Sequence, residues 1–317
     1  MKSNYIIREA AESDFSSIKH IWQVCFTNDL EYIDNFILHC LPYTKSWVAI
    51  PEYVVSKEAV AVLSLLPSYL INNEKRIEGG YIYGVATLPQ HRGSSLSKLL
   101  MEKAVNHSIQ NDLSYLVVKP ATETLFDLYK KQGFDITLFK SLSTLNINLL
   151  NSYENPKFKS LTELNYNNNS VIFEASFSQQ IQELFSLREN STKRTLLWPL
   201  KILRYSVLET FKKGGILHLF LNPGSESVEL YYLAYPFDEN TSIIKVVETN
   251  ICNKSELDIV IANIRTYYPQ ATTIYIEKRY NEKDSEILPI KSALIKILDN
   301  KISSDSISYF HLAIPME

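Results

Sequence analysis

Residues 79–100 read GGYIYGVATLPQHRGSSLSKLL. Tyr81 to Leu88 is an apolar, β-prone run stopped by Pro89. Arg92-Gly93-Ser94-Ser95 makes a short polar loop, and Leu96, Leu99 and Leu100 open a helical pattern. Strand, loop and helix in that order place the uncapped N–H groups of a first helical turn beside small residues. Gly93, Ser94, Ser95 and Ser97 let a ligand approach the backbone, and the helix dipole favours an anion there. Such a site suits a pyrophosphate. Two nucleotide fingerprints are excluded: Ser95-Leu96-Ser97-Lys98 lacks the Gly-Lys-Ser/Thr ending of a P-loop, and G-x-G-x-x-G is absent. A strand-to-helix turn without a ligand is the alternative this stretch leaves open on its own.

A second stretch bears on that choice. Tyr115 to Val118 reads as a buried strand, and Thr122 to Gln132 as a helix stopped by Gly133 and followed by Phe134. Together the two stretches resemble the GNAT N-acetyltransferase superfamily. Its phosphate-loop signature, Gln/Arg-x-x-Gly-x-Gly/Ala after a strand that ends near a proline, is matched by Arg92-x-x-Ser95-x-Ser97, with serines at both glycine positions. Its second signature, Leu-Tyr-x-x-x-Gly-Phe, is matched by Leu128-Tyr129 through Gly133-Phe134. Serine is small, but it tolerates positive φ poorly, so the loop is expected to hold its cofactor less tightly than a glycine loop would.

The resemblance implies the chemistry. Acetyl-CoA is the expected co-substrate. Val85, Ala86 and Thr87 offer backbone groups to the pantetheine and an N–H to the thioester oxygen. Arg92, Gly93, Ser94, Ser95, Leu96 and Ser97 receive the pyrophosphate. Tyr129 faces the sulfur, as general acid or as a positioning contact. A phenol with a pKa of about 10 can protonate a thiolate whose acid lies around 8.5 and still keep its own proton at neutral pH. The base is less well marked. Glu78 reads as a solvated edge charge, while Tyr81 and Tyr83 share one face of the strand and suit a base or a water-ordering role. Eis-type (enhanced intracellular survival) acetyltransferases use their terminal carboxylate, which implies Glu317.

The rest of the chain sets the frame. With 317 residues it exceeds what one core usually organises, and 45% hydrophobic with 21% charged residues is the composition of a soluble globular protein. A net charge of −3 gives no basic field for nucleic acid. No signal peptide and no apolar run near 18 residues is visible, so no membrane partner and a cytoplasmic location are expected. Cys25, Cys40 and Cys252 form no C-x-x-C and read as buried thiols. The six histidines show no i,i+3 or i,i+4 pairing, so no metal site is expected.

Element order adds a repeat. Residues 1–148 read β-α-α-β-β-β-α-β-α-β, the order of a GNAT domain, and an Asn- and Lys-rich linker covers 149–169. Residues 170–317 are expected to repeat the order: a strand at Ser170–Glu174, helices at Ser178–Leu187 and Leu196–Phe211, and three strands ending at Thr249. A helix at Ser255–Tyr268, a strand at Thr273–Glu277, a helix at Pro289–Leu298 and a strand at Ser306–Ile314 complete it. The loop Thr249 to Ser255 has no glycine and no Arg-x-x-Gly, so the second domain is expected to be degenerate, without a coenzyme A site. The expected fold class is α/β (α+β): tandem GNAT-like domains, each a mixed central sheet flanked by helices. It resembles the first two domains of Eis-type enzymes, without their third. The expected function is acetyl transfer from acetyl-CoA to a small-molecule or peptide amine. A non-catalytic coenzyme A binder and an acyl or aminoacyl transferase are the alternatives, and monomer or homo-oligomer is left open.

Overall fold

The computed structural model describes residues 4–27, 29–52, 57–72, 75–147, 159–161, 171–190, 195–222, 224, 227–238, 241–279, 289–299 and 311–312. Glu317 and the 149–169 linker, apart from 159–161, lie outside the described residues. In chain order the elements are β1 (Tyr5–Glu9), α1 (Phe15–Cys25), α2 (Leu30–His39), β2 (Lys45–Pro51), β3 (Ala61–Asn72), β4 (Lys75–Thr87), α3 (Leu96–Gln110), β5 (Tyr115–Val118), α4 (Glu123–Lys130) and β6 (Ile136–Asn146). They continue as β7 (Lys159–Leu161), α5 (Val171–Glu189), β8 (Thr195–Leu197), α6 (Leu200–Lys212), β9 (Ile216–Leu221), β10 (Val228–Pro236), β11 (Ile243–Thr249), α7 (Lys254–Tyr267), β12 (Thr273–Arg279) and β13 (Ile290–Ile297). The chain forms two compact units. Unit 1 is Met1–Leu138, Leu196–Ile202 and Ser292–Phe310; unit 2 is Phe139–Thr195, Leu203–Lys291 and His311–Glu317.

Unit 1 is a mixed sheet in the order β1-β2-β3-β4-β5-β13. Its first four strands are antiparallel neighbours, β4 and β5 run parallel, and β13 is antiparallel to β5. A parallel pair needs a long crossover, and α3 supplies it between β4 and β5. The helices bury one stripe each: Ile18, Ile21 and Trp22 from α1, Ile33 and Phe36 from α2, Leu96, Leu100, Met101 and Ala104 from α3. β5 is buried along its whole length, as expected of an inner strand covered on both faces.

Unit 2 repeats the pattern in the order β7-β9-β10-β11-β12-β6. β9, β10 and β11 are antiparallel neighbours, β11 and β12 run parallel with α7 between them in sequence, and β6 is antiparallel to β12. Its core sets Leu230, Tyr232, Ile244, Val246, Ile274 and Ile276 of the sheet with Ile259, Val260 and Ile264 of α7. Strands from the other half of the chain pair within each unit: β13 with β5 in unit 1 and β6 with β12 in unit 2. We retain 1–148 and 170–317 as the proposed sequence domains. The compact units cut across them, since unit 1 takes Leu196 and Leu197 of β8, paired with β3, and most of β13 from the second, and unit 2 takes most of β6 from the first.

Three expected elements are corrected. The helix expected at Pro289–Leu298 is β13. Ser292 to Ile295 are all buried, and a strand covered on both faces gives a continuous apolar run with no period to distinguish it from a buried helix. The strand expected at Ser170–Glu174 falls on the first turn of α5, where Val171-Ile172-Phe173 has β propensity that the helical context overrides. The helix expected from Leu196 starts at Leu200. Pro199 pre-sets the first turn and pushes Trp198 away from helical backbone, which leaves Thr195–Leu197 as the short strand β8. Of the strand expected at Ser306–Ile314, only His311–Leu312 is described, as strand.

Candidate active site

β4 builds one side of the site. Its register against β3 slips between Val62, opposite Ala86, and Ser64, opposite Tyr83, so Gly84 and Val85 together face Leu63 in a β-bulge. Gly84 has φ +59, and a Cβ there would lie 2.2 Å from the indole of Trp22. Only glycine meets both demands. The bulge re-aims the backbone where β4 parts from β5, since those strands pair only from Gly79–Tyr115 to Ile82–Val118. Beyond Ile82 no strand among the described residues pairs with that edge of β4. Val85, Ala86 and Thr87 therefore lie where that edge of β4 pairs with no described strand.

At the end of β4 the chain passes through Pro89–His91 into the loop before α3. The Arg92 guanidinium is exposed, and its Nε donates to the Thr87 carbonyl at 3.2 Å, which braces the loop against the strand. Cys25 Sγ donates to the same carbonyl at 3.4 Å. Ser95 stands at the helix N-cap in left-handed backbone, φ 58 and ψ 23, and its side chain caps nothing. The first turn of α3 carries no acidic residue. Among the described residues the backbone N–H groups of Gly93, Ser94, Ser95, Leu96, Ser97 and Lys98 find no acceptor. Six consecutive donors at the positive end of a helix dipole form an anion cradle.

The counterpart in unit 2 is closed. α7 follows β11 as α3 follows β4, but Asn253 caps it by accepting from the Glu256 N–H at 3.0 Å, and Glu256 Oε2 accepts from the Cys252 N–H at 2.6 Å. A carboxylate of the chain already occupies the positive end of that helix.

Tyr129 lies on α4 and is buried, with its ring edge-on to Phe134 at 6.0 Å between centroids. Its hydroxyl makes no hydrogen bond among the described residues. Burial pushes its pKa up to about 12, which keeps the phenol protonated through the physiological range. On β4, Tyr81 is buried and Tyr83 half-buried, with their rings 6.0 Å apart. The hydroxyls of Tyr83 and Tyr32 are hydrogen-bonded, and Trp22 and Phe36 pack on Tyr83 at 5.6 and 5.4 Å. Glu78 is exposed and paired with Arg76 at 2.5 Å, the solvated edge charge expected. Sequence reasoning did not anticipate Trp22 against Gly84, nor Trp198, whose ring stands edge-on to Tyr81 at 5.1 Å. No local signal joins residues 117 positions apart.

Residues 6–137 match the family model of the Acetyltransferase (GNAT) domain. The N-terminal half carries a GNAT domain. No curated protein matches the chain by sequence. Among solved structures it is similar to a conserved protein of Enterococcus faecalis V583, described as a probable N-acyltransferase, at 11% identity and TM-score 0.72 over 94% of this chain and 73% of that one. It is similar to Eis1 of Mycobacterium abscessus at 12% identity and TM-score 0.62, over 93% and 74% of the two chains. It also resembles a tandem GNAT protein of the clavulanic acid biosynthesis pathway, at 8% identity and TM-score 0.53, over 94% and 100%. The fold is that of tandem GNAT proteins such as Eis, an α/β architecture with mixed sheets flanked by helices. No helix among the described residues is long and apolar enough to cross a membrane.

Proposed function

We propose that the GNAT domain of unit 1 binds acetyl-CoA and transfers its acetyl group to a primary amine of a small molecule or peptide. The observation that carries the reading is the contrast between two equivalent helices: the start of α3 offers six unpaired N–H groups and no acid, whereas α7 caps itself with Glu256. The cradle from Gly93 to Lys98 suits the pyrophosphate, and Arg92 beside it adds positive charge. The open edge of β4 at Val85 to Thr87 suits the pantetheine amides, which add to a strand edge as another strand would. An N–H of the bulge is suited to polarise the thioester carbonyl.

The neutral amine attacks the carbonyl carbon, the tetrahedral intermediate collapses, and the C–S bond breaks with the electron pair on sulfur. Tyr129 gives that thiolate its proton. The nitrogen gives up one proton to water, from which Tyr129 regains the proton it donates. Burial holds the phenol neutral until far above neutral pH, so the proton is present when the leaving group needs it. The Tyr83–Tyr32 hydroxyl pair stands on the same strand and is suited to order the water or amine on the acceptor side.

The test is isothermal titration of acetyl-CoA into the wild type and a Ser97→Asp variant. An aspartate in the first turn of α3 favours the helix dipole, by about 0.3–1 kcal/mol, while it repels a pyrophosphate. Unchanged or higher melting temperature together with loss of binding is expected. An acetyl-CoA affinity unaffected by Ser97→Asp would remove the phosphate from this loop. A screen of polyamines, aminoglycosides and lysine peptides then identifies the acceptor, and acetyl transfer separates the enzyme from a coenzyme A binder.

A further inference from the structure

Strand β13 also reaches the end of the helix bearing Tyr129. Lys296 of β13 donates from Nζ to the Gln132 carbonyl at 2.8 Å. Gly133, at φ +83, makes the space: a Cβ there would lie 2.6 Å from that ammonium. The other groups at this end are bonded within the turn. The Lys131 N–H bonds the Asp127 carbonyl, the Gly133 N–H the Lys130 carbonyl, and both Gln132 and Phe134 donate to the Tyr129 carbonyl, at 2.9 and 3.2 Å. Gln132 lies in the turn just past the C-cap of α4, beside the negative end of the helix dipole, and Lys296 supplies a donor and a positive charge together there.

Lys296 is itself held fast. It pairs with Leu116 of β5, and its neighbour Ile297 pairs with Tyr115. The Leu298 N–H then donates to the Ser114 carbonyl at 2.9 Å, and Ser114 Oγ donates to Asp299 Oδ2 at 3.1 Å. Helix α4 has only eight residues, about two turns, a length that is marginal without help at its ends. A fixed strand thus grips a weak helix at the turn that follows Tyr129.

We propose that Lys296 is a positioning residue for Tyr129, contributed by the C-terminal half of the chain to the acyl-transfer site of the N-terminal half. Its ammonium anchors the turn that ends α4 to the paired strands β13 and β5 and so fixes the position of the Tyr129 ring. The proposal rests on the reading of Tyr129 as the residue that faces the thioester sulfur. It makes the C-terminal half a structural part of the site even though α7 is capped by its own Asn253 and Glu256.

The test is fluorine NMR of the full chain with fluorotyrosine installed at position 129. The wild type is expected to give one narrow resonance, Lys296→Met a broadened or split one, and Lys296→Arg to restore the single line. Lys296→Gln, which keeps a donor without the charge, serves in place of Lys296→Met if the latter does not fold. A variant that lowers the melting temperature yet leaves the resonance unchanged would overturn the proposal, because a strand-stabilising lysine alone does that. Added acetyl-CoA separates the two readings: a wild-type resonance that ignores the ligand sinks the assignment of Tyr129 to the sulfur. The lysine comparison, made without ligand, still decides the positioning role.

Discussion

Ser95 occupies the position where the family signature carries glycine, and its backbone has kept the glycine conformation, φ 58. A left-handed residue with a Cβ costs roughly 1–2 kcal/mol, and glycine's extra freedom in the unfolded chain costs roughly 0.5–1 kcal/mol. The first term wins. Ser95→Gly is therefore expected to stabilise the protein by about 0.5–1 kcal/mol, read from the denaturant midpoint at unchanged slope. Its acetyl-CoA affinity should equal or exceed that of the wild type, since the peptide N–H stays and the strain goes. A destabilised Ser95→Gly would mean that the serine hydroxyl holds the loop. The sequence shows this strain in advance, because the signature fixes the sign of φ at position 95. It cannot show Trp22 lying on Gly84, since that contact joins α1 to β4 through folding alone.

Single strands and helices carry their own predictions, and β9 gives one for pH. His218 pairs directly with Tyr232 of β10, stacks on it at 5.8 Å and packs on Phe220 at 4.4 Å. Burial among these rings pushes its pKa down to about 4 from an ordinary 6.5. The folded state keeps it neutral while the unfolded chain binds the proton. Stability is therefore fully present above pH 6.5 and is lost as pH falls toward 4. The loss is on the order of 3 kcal/mol at the low end, because each tenfold drop in proton affinity on folding is worth about 1.36 kcal/mol. His107 is shifted the same way, by burial first and Lys45 second, so the comparison must be a difference. His218→Phe should flatten the slope of unfolding free energy against pH between 6.5 and 4.5. Below that window the depressed carboxyls of Asp14 and Glu277 begin to contribute, held down by Arg8 and by Lys245 and Lys140 against the cost of burial. An unchanged slope would place the titrating group elsewhere. The strand itself was legible, because Ile216 to Leu221 is a short apolar run after a Gly-Gly stop. β13 was not, because burial on both faces erases the alternation that marks a strand.

For the whole molecule, the decisive feature is that each unit borrows strands from the other half of the chain, β13 beside β5 in unit 1 and β6 beside β12 in unit 2. The order of elements in 1–148 is legible from periodicity. In 170–317 only the run from α6 to β12 is, because the strand expected at its start is helix α5 and the helix expected near its end is strand β13. The parallel pairs β4–β5 and β11–β12 correspond in the two units. The exchange is not legible, since β6 pairs with β12 and β13 with β5 at separations of more than a hundred residues, and nothing local encodes a partner so distant. The physical consequence is mutual dependence. Without β13 the β5 strand, buried along all four residues, would expose an unpaired apolar edge, and an edge of that kind recruits other chains. Residues 1–148 made alone should therefore aggregate and fail to bind acetyl-CoA, although they hold every residue of the proposed cofactor site. Made together with residues 149–317 in the same cell, they should become soluble and recover binding, because the missing strand and its Lys296 return in trans. In the full chain, probes placed in the two units should report one common unfolding midpoint. A soluble, acetyl-CoA-binding 1–148 fragment would show that β13 is dispensable, and with it the contribution of the C-terminal half to the site.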